Sequence, residues 1–213
     1  AEMENIEEIN NAKICSTYKK GQIIFNEGAH PFGLFCINAG KIKISKNGDD
    51  GREIIFRLAK PGDIIGYKAL LTGERYSASA VALDDCDVCF IPKDLFLTIL
   101  KKDATLSIEL IRMISSELNK AEIKVAHLAQ KPVRERVAET LLFIKETYGL
   151  EADGETLNVR LSREEIANIV GTATESAIRI LSEFKKDNII ELDGKKIKII
   201  HSNKLIKTAN LQD

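Results

Sequence analysis

At 213 residues the chain has room for one or two domains with a real core in each. Its 31 basic and 32 acidic side chains nearly cancel, to a formal net charge of −1, so no bulk basic excess speaks for nucleic acid and any electrostatic footprint has to be local. No apolar run approaches the ~18–20 residues of a membrane span and no signal-peptide pattern opens the chain, which predicts a cytoplasmic protein without membrane contact whose four cysteines stay reduced.

Residues 1–18 read as a short polar helix or arm. From Tyr18 the texture changes to short runs parted by glycines at 21, 28, 33, 40, 48, 51, 62, 66 and 73. Runs 22–25, 34–37, 41–44, 53–58, 64–65, 79–83 and 88–91 predict strands, several alternating with period 2 and rich in β-branched residues. So many short strands at close spacing point to an antiparallel barrel or jelly roll. Pro92 marks the change to helix, one segment to about Leu100 and a long one over about 104–129. In the long one Ile111, Ile114, Leu118, Ala121, Val125 and Leu128 recur at 3, 4, 3, 4, 3, a heptad seam rather than the broad stripe of a buried helix. The seam predicts a parallel homodimer. The competing reading packs the helix on the barrel of its own chain, with Ile108, Met113 and Ile123 beside the seam as contacts.

Lys131-Pro132 interrupts the helix and is the expected hinge. An amphipathic helix follows over about 133–148, then a loop at 149–154 and a predicted strand at 157–161. Ser162 with Glu165 makes a capping-box pattern, and Ile166, Ala167, Ile169 and Val170 give the short helix behind it an apolar stripe. Gly171 supplies a sharp turn. In the next helix Ala177, Ile180, Leu181 and Phe184 fall at i, i+3, i+4, i+7 and face the core, leaving Thr174, Glu175, Ile178 and Arg179 on the other side. That is a helix-turn-helix pattern, although a short helix, a glycine turn and a second helix also occur in proteins that never meet DNA.

The outer face separates the two readings. Arg179 suits guanine O6/N7, Glu175 suits cytosine N4, and Ile178 suits a thymine methyl. The bland alternative is a Glu175–Arg179 surface ion pair contributing ~0.3 kcal/mol. Thr172 and Ser176 complete the expected DNA-facing set. After it, runs 188–192 and 195–200 flank Asp193-Gly194, a strong hairpin signal. The lysines there, Lys196 among them, make a wing able to reach phosphate, which positions a protein while base contacts specify sequence.

These residues resemble the Crp–Fnr family of bacterial transcription regulators over nearly the whole chain. The stretches that carry it are KKGQIIFNEG from Lys19, Asn38-Ala39-Gly40-Lys41, PGDIIG at 61–66 and LSREEIANIVGTATESAIRILSEF at 161–184, in the family's order and spacing. The resemblance implies an α+β protein: a cyclic-nucleotide-binding-like β-roll (double-stranded jelly-roll) sensor over 1–102, a dimerisation helix over 103–130 and a C-terminal winged helix-turn-helix over 131–213. It implies that Glu175 and Arg179 match the base-reading pair. Thr174 stands where some members carry an arginine, so the operator should differ from theirs.

The resemblance also places an effector pocket at Gly66, Tyr67, Arg75, Tyr76, Ser77, Ala78, Ala121 and Glu122. Tyr67 replaces the glutamate that cyclic-AMP-binding relatives offer the ribose, and Tyr76 aligns with their phosphate-binding arginine, so cyclic AMP in the usual mode is doubtful. Iron–sulfur relatives use closely spaced N-terminal cysteines plus one in the roll. Cys89 resembles that last ligand, but Cys15 stands alone at the N-terminus, so no cluster is expected. Cys86 and Cys89, three apart in a strand, point to opposite faces. The histidines at 30, 127 and 201 lie far apart in sequence, and no metal site is expected.

The expected function is therefore a homodimeric regulator binding a palindromic operator in double-stranded DNA, with an unknown small-molecule effector and RNA polymerase as further partners. The alternative is a ligand-binding or interaction module that has lost specific DNA binding, which the neutral charge and Thr174 favour. No nucleophile–base pairing, phosphate loop or metal-ligand spacing suggests an enzyme.

Overall fold

Short β-prone runs between glycine turns become eight strands with small helices at the joints. In order these are α1 (Glu2–Ala12), β1 (Ile14–Tyr18), β2 (Ile23–Phe25), β3 (Gly33–Ala39), β4 (Ile42–Asn47), β5 (Glu53–Ala59), β6 (Ile64–Ile65), α2 (Tyr67–Thr72), β7 (Ser79–Ala82) and β8 (Cys86–Pro92). The computed structural model describes residues 2–210, with side-chain surroundings from residue 7 onward; Ala1 and residues 211–213, the outer ends of the two expected domains, lie outside the described residues. Two four-stranded sheets form, in orders β1-β8-β3-β6 and β2-β7-β4-β5. A buried cluster drawn from both holds Ile24, Ile37, Ile42, Ile44, Ile65 and Val88, with Ala78, Ala80 and Ala82 as its small members. Alternation shows in the first half of β5, where Ile55 is buried between exposed Ile54 and Phe56. This is the jelly-roll architecture.

Three readings need correction here. The polar stretch 1–18 is not one helix or arm: the helix stops at Ala12, and Ile14–Tyr18 pairs antiparallel with Phe90–Cys86 as an edge strand. Its side chains are mostly exposed, so no alternation announced it. Second, the cysteines are not all thiols: Cys15 and Cys89, opposite each other in that register, form a disulfide, leaving Cys36 and Cys86 free. Third, 157–161 forms only isolated bridges, Leu150 to Leu157 and Thr156 to Lys198. Asp153 bends the preceding chain by accepting from Glu155 N (3.0 Å), Thr156 N (2.8 Å) and Thr156 Oγ1 (2.6 Å), and Val159 N donates back to Leu157 O at 2.8 Å. Leu157, Val159 and Leu161 are buried as anchors instead.

After β8 come α3 (Lys93–Lys102) and the 27-residue α4 (Ala104–Gln130). Leu110 of α4 is buried in a cluster with Leu34, Tyr67, Leu70, Ile91 and Phe96, and Met113 and Ile114 pack against it. Ile114 therefore serves the roll, while Ile108 and Ile123, expected against it, are exposed. Ile111, Leu118, Val125 and Leu128 remain exposed in the single chain, Leu118 at 59 % and Val125 at 66 %.

The chain divides into two compact units, residues 1–46 with 57–124 and residues 47–56 with 125–213, so the division falls inside α4. The second unit holds α5 (Val133–Tyr148), α6 (Arg163–Val170), α7 (Thr174–Lys186), the hairpin β9 (Ile190–Asp193) and β10 (Lys196–Ile199), and α8 (Ser202–Ala209). Val137, Leu141, Ile144, Ile166, Leu181, Phe184 and Leu205 are its fully buried centre. Among the described residues no helix is long and apolar enough to cross a membrane.

Candidate nucleic-acid interface and effector pocket

The start of α6 is fixed by a reciprocal cap. Ser162 Oγ accepts from Glu165 N at 3.0 Å, and Glu165 Oε2 accepts from Ser162 N at 2.8 Å, satisfying two helix-end donors at once. Gly171 ends the helix in the left-handed region with φ 72°, and a Cβ there would sit 2.8 Å from Leu128 Cδ2. Only glycine meets both demands.

The turn delivers α7 with Ala177, Ile180, Leu181 and Phe184 buried beneath it, so the face opposite is turned outward. Glu175, Ile178 and Arg179 are exposed, while Thr172, Thr174 and Ser176 are half-buried. An isoleucine at 45 % exposure in such a row has no core to serve. Arg179 does not pair with Glu175: its Nη1 donates to Glu183 Oε1 at 2.6 Å, one turn on. Glu183 in turn accepts from Arg134 Nη1 (2.6 Å), whose Nη2 reaches Asp187 at 2.8 Å and whose guanidinium lies 4.8 Å over the Phe184 ring. Glu183 thus keeps a second cation if Arg179 leaves it for a base.

The hairpin follows one residue later than the sequence suggests. Asp193 pairs with Lys196, so Gly194 and Lys195 form the turn. Lys195 and Lys196 are exposed at its tip, whereas Lys198 is engaged with Glu155 at 2.8 Å. Arg163, which sequence reasoning passed over, joins the first helix to this wing by donating to Gly194 O at 2.8 Å. Nothing local in the sequence signals that contact, because the two residues are 31 apart.

In the roll, a Cβ added at Gly66 would stand 3.4 Å from the Tyr76 ring, so these two expected pocket residues meet. Gly66, with φ 84°, opens α2. Tyr67 is buried and donates to Glu117 Oε2 at 2.6 Å. Glu117 also meets Lys68 Nζ at 2.8 Å and Arg57 Nη1 at 2.9 Å, and Arg57 Nη2 donates to Ile64 O at 3.3 Å. Burial, and then the bond to Glu117, push the Tyr67 phenol up. Burial works against the Glu117 carboxylate but is outweighed by the hydrogen bonds from Lys68 and Tyr67 and the charges of Arg57 and Lys68, which hold it below the usual range. Tyr76 also turns inward, its ring 4.1 Å from that of Phe25 and its hydroxyl on Gly33 O at 3.2 Å, and burial pushes its phenol up to about 12.

Arg75 points away, exposed, with Nη1 on Gly28 O at 2.8 Å, and Ser77 is exposed beside it. Ala78 is buried, and Ala121 and Glu122 are exposed on α4. Arg57, Lys68 and Glu117 were not legible in the sequence, since they lie on three separate elements with no common motif. No group of three His, Cys, Asp or Glu able to hold a metal ion occurs among the described residues.

Comparisons with known proteins agree with this fold. Residues 15–103 match a family model described as a cyclic nucleotide-binding domain, and residues 135–208 one described as a Crp-like helix-turn-helix domain. The chain is 29 % identical over 191 residues to the Anaerobic regulatory protein of Bacillus subtilis, covering 89 % of this chain and 80 % of that one. It is 29 % identical over 213 residues to the Transcriptional activator protein anr of Pseudomonas aeruginosa, covering 99 % and 86 %. The fold is similar to that of FixK2 from Bradyrhizobium japonicum, with a TM-score of 0.84 at 23 % identity, covering 95 % of this chain and 100 % of that one. With a nucleotide-binding-type roll, a long helix and a helix-turn-helix in that order, the chain belongs to the Crp–Fnr family of DNA-binding transcription regulators.

Proposed function

We propose that the chain works as a homodimer, joined along Ile111, Leu118, Val125 and Leu128, that reads a palindromic site in double-stranded DNA with the outer face of α7 and regulates transcription in the cytoplasm, with RNA polymerase as a partner and no enzymatic activity of its own. The observation that carries it is the outward row Glu175, Ile178 and Arg179 backed by four buried residues. Phosphate contacts come from Lys195 and Lys196 at the wing tip. Two-fold symmetry sets the half-sites about one helical turn apart, ~34 Å. Selection from random DNA followed by mobility shift tests this. An enriched palindrome whose binding is lost in Arg179→Ala supports it; no enrichment under any ligand condition favours an interaction module without specific DNA binding.

The effector is a small molecule other than cyclic AMP bound in the usual mode. Tyr67 spends its hydroxyl on Glu117, Tyr76 fills the interior, and Arg75 is turned to Gly28. Losing an arginine that neutralises a buried phosphate removes several kcal/mol of affinity. Isothermal titration showing micromolar or tighter cyclic AMP binding, abolished by Arg75→Ala, overturns this reading.

A further inference from the structure

We propose that Glu183, itself fixed by Arg134, is a positioning residue that aims the Arg179 guanidinium at a guanine edge in the major groove. The proposal rests on the reading of α7 given above and names what sharpens that reading.

Two carboxylates flank Arg179 on α7, Glu175 one turn before it and Glu183 one turn after. On a helix the acid-before-base order at i, i+4 is the better one, and Glu175 offers it. Arg179 Nη1 nevertheless donates to Glu183 Oε1 at 2.6 Å. An exposed pair in the poorer order holds a long side chain weakly. What sets this one apart is a carboxylate that is itself held. Glu183 Oε2 accepts from Arg134 Nη1 at 2.6 Å. Arg134 reaches across from α5 and donates through Nη2 to Asp187 Oδ2 at 2.8 Å, with its guanidinium carbon 4.8 Å from the centre of the Phe184 ring. Phe184 belongs to the buried row under α7. The contacts therefore run from the core through Arg134 to Glu183, and from there to an arginine that is 65 % exposed.

This bond does not exhaust the fork. A guanidinium carries its donors on Nε, Nη1 and Nη2 in one plane, and the bond to Glu183 engages Nη1. Nη2 and Nε remain for a pair of parallel bonds to guanine O6 and N7. Arg179 thus need not leave Glu183 to read a base, and the carboxylate that stays bound fixes the plane of the donors. An arginine so held loses less rotamer freedom on binding. The same carboxylate repels phosphates, so it weakens binding to DNA of any sequence while favouring the sequence with guanine at that position. Glu175, outside this pair, keeps its oxygens for cytosine N4.

The test measures, on the full chain, the penalty for each base substitution across a half-site of the selected palindrome, by competition binding with parent and variants. Arg179→Ala marks the base pair that Arg179 reads by flattening the preference there. Glu183→Ala and Glu183→Asp should lower discrimination at that same base pair by about tenfold or more. Glu183→Asp does so although it keeps the charge, because its shorter side chain cannot span both arginines. Glu183→Gln, which keeps the length and one acceptor, should retain part of the discrimination. Glu183→Ala should also bind random DNA more tightly, since a negative charge has left that face. In the free protein, slowed rotation of the Arg179 guanidinium, read by side-chain nitrogen NMR, should be lost in Glu183→Ala and kept in Glu175→Ala. Discrimination unchanged in Glu183→Ala and Glu183→Asp, a loss spread evenly over the half-site, or an Arg179 signal indifferent to Glu183 overturns the proposal alone. A half-site with no position flattened by Arg179→Ala overturns the reading of α7, and the proposal with it.

Discussion

Glu117 is the side chain whose removal most directly tests how the roll holds α4. Its carboxylate meets Tyr67, Lys68 and Arg57 at 2.6, 2.8 and 2.9 Å, and both it and Arg57 are about four-fifths buried, at 20 % and 22 % exposure. In Glu117→Ala, Lys68 rehydrates at once, being 62 % exposed, and its share is at most ~0.5 kcal/mol. Arg57 keeps Ile64 O but loses its closest counter-charge, about 1.5 kcal/mol, and the buried Tyr67 hydroxyl is left unpaired, about 1 kcal/mol. The expected loss is about 3 kcal/mol. Glu117→Gln keeps one acceptor and should lose about 2, and Tyr67→Phe, which removes the donor and leaves two cations on the carboxylate, about 1 kcal/mol.

Urea unfolding followed by far-ultraviolet circular dichroism measures the series. Because the folded-state pKa of Glu117 lies below its unfolded value of 4.5, its contribution is complete above that value and fades as pH falls through the folded pKa. The gap between parent and Glu117→Ala should accordingly close in acid. A loss in Glu117→Ala no larger than that in Tyr67→Phe, or a gap that widens below pH 4.5, refutes the reasoning.

Other substitutions test other links. Leu118→Glu, at an exposed seam position, should leave single-chain stability within ~0.5 kcal/mol yet shift light scattering from dimer to monomer. Gly171→Ala forces both a positive φ and a 2.8 Å contact with Leu128, and should lower the unfolding free energy by about 1–2 kcal/mol, while Ser162→Ala should cost about 1 kcal/mol through the lost cap. Lys196→Ala should weaken binding to every DNA sequence alike and reduce the log–log salt slope by about 1. Asp153 should titrate near pH 2 by carboxyl NMR, held down by the Thr156 side chain first and then by the Thr156 and Glu155 amides; with its folded pKa below 3.8, that hold weakens only as pH falls toward 2.

The helix-turn-helix was legible because its determinants are local. The Ser162–Glu165 box spans three residues, Gly171 is a backbone requirement at one position, and the α7 stripe repeats within two turns. Seven of the roll's eight strands were legible, but not its margins. β1 is an edge strand paired on one side, so its side chains carry no alternation, and α2 is a six-residue turn of helix inside a glycine-rich stretch. α8 went unread because its apolar pair, Leu205 and Ala209, is too sparse to make a stripe. The contacts around Glu117 were out of reach for a different reason. Arg57 and Lys68 meet Glu117 across 60 and 49 residues, and a lone glutamate beside a heptad leucine looks like solvated surface until the roll is built around it.

That juxtaposition also says why one helix reads ambiguously as seam or as core. Leu110, Met113, Ile114 and Glu117 follow the i, i+3, i+4, i+7 rule and form the stripe that the roll covers, while Ile111, Leu118 and Val125 repeat every seven and form the stripe it leaves bare. The stripes are offset by one residue, ~100° around the axis. Ile114 fits both periods, and the structure assigns it to the roll because its neighbours there are apolar and fixed. A helix with two apolar faces so placed cannot turn to improve one without moving the other by the same angle. Glu117 sits next to Leu118 in the chain, so the side chain that ties α4 to the roll directly adjoins one of the bare stripe.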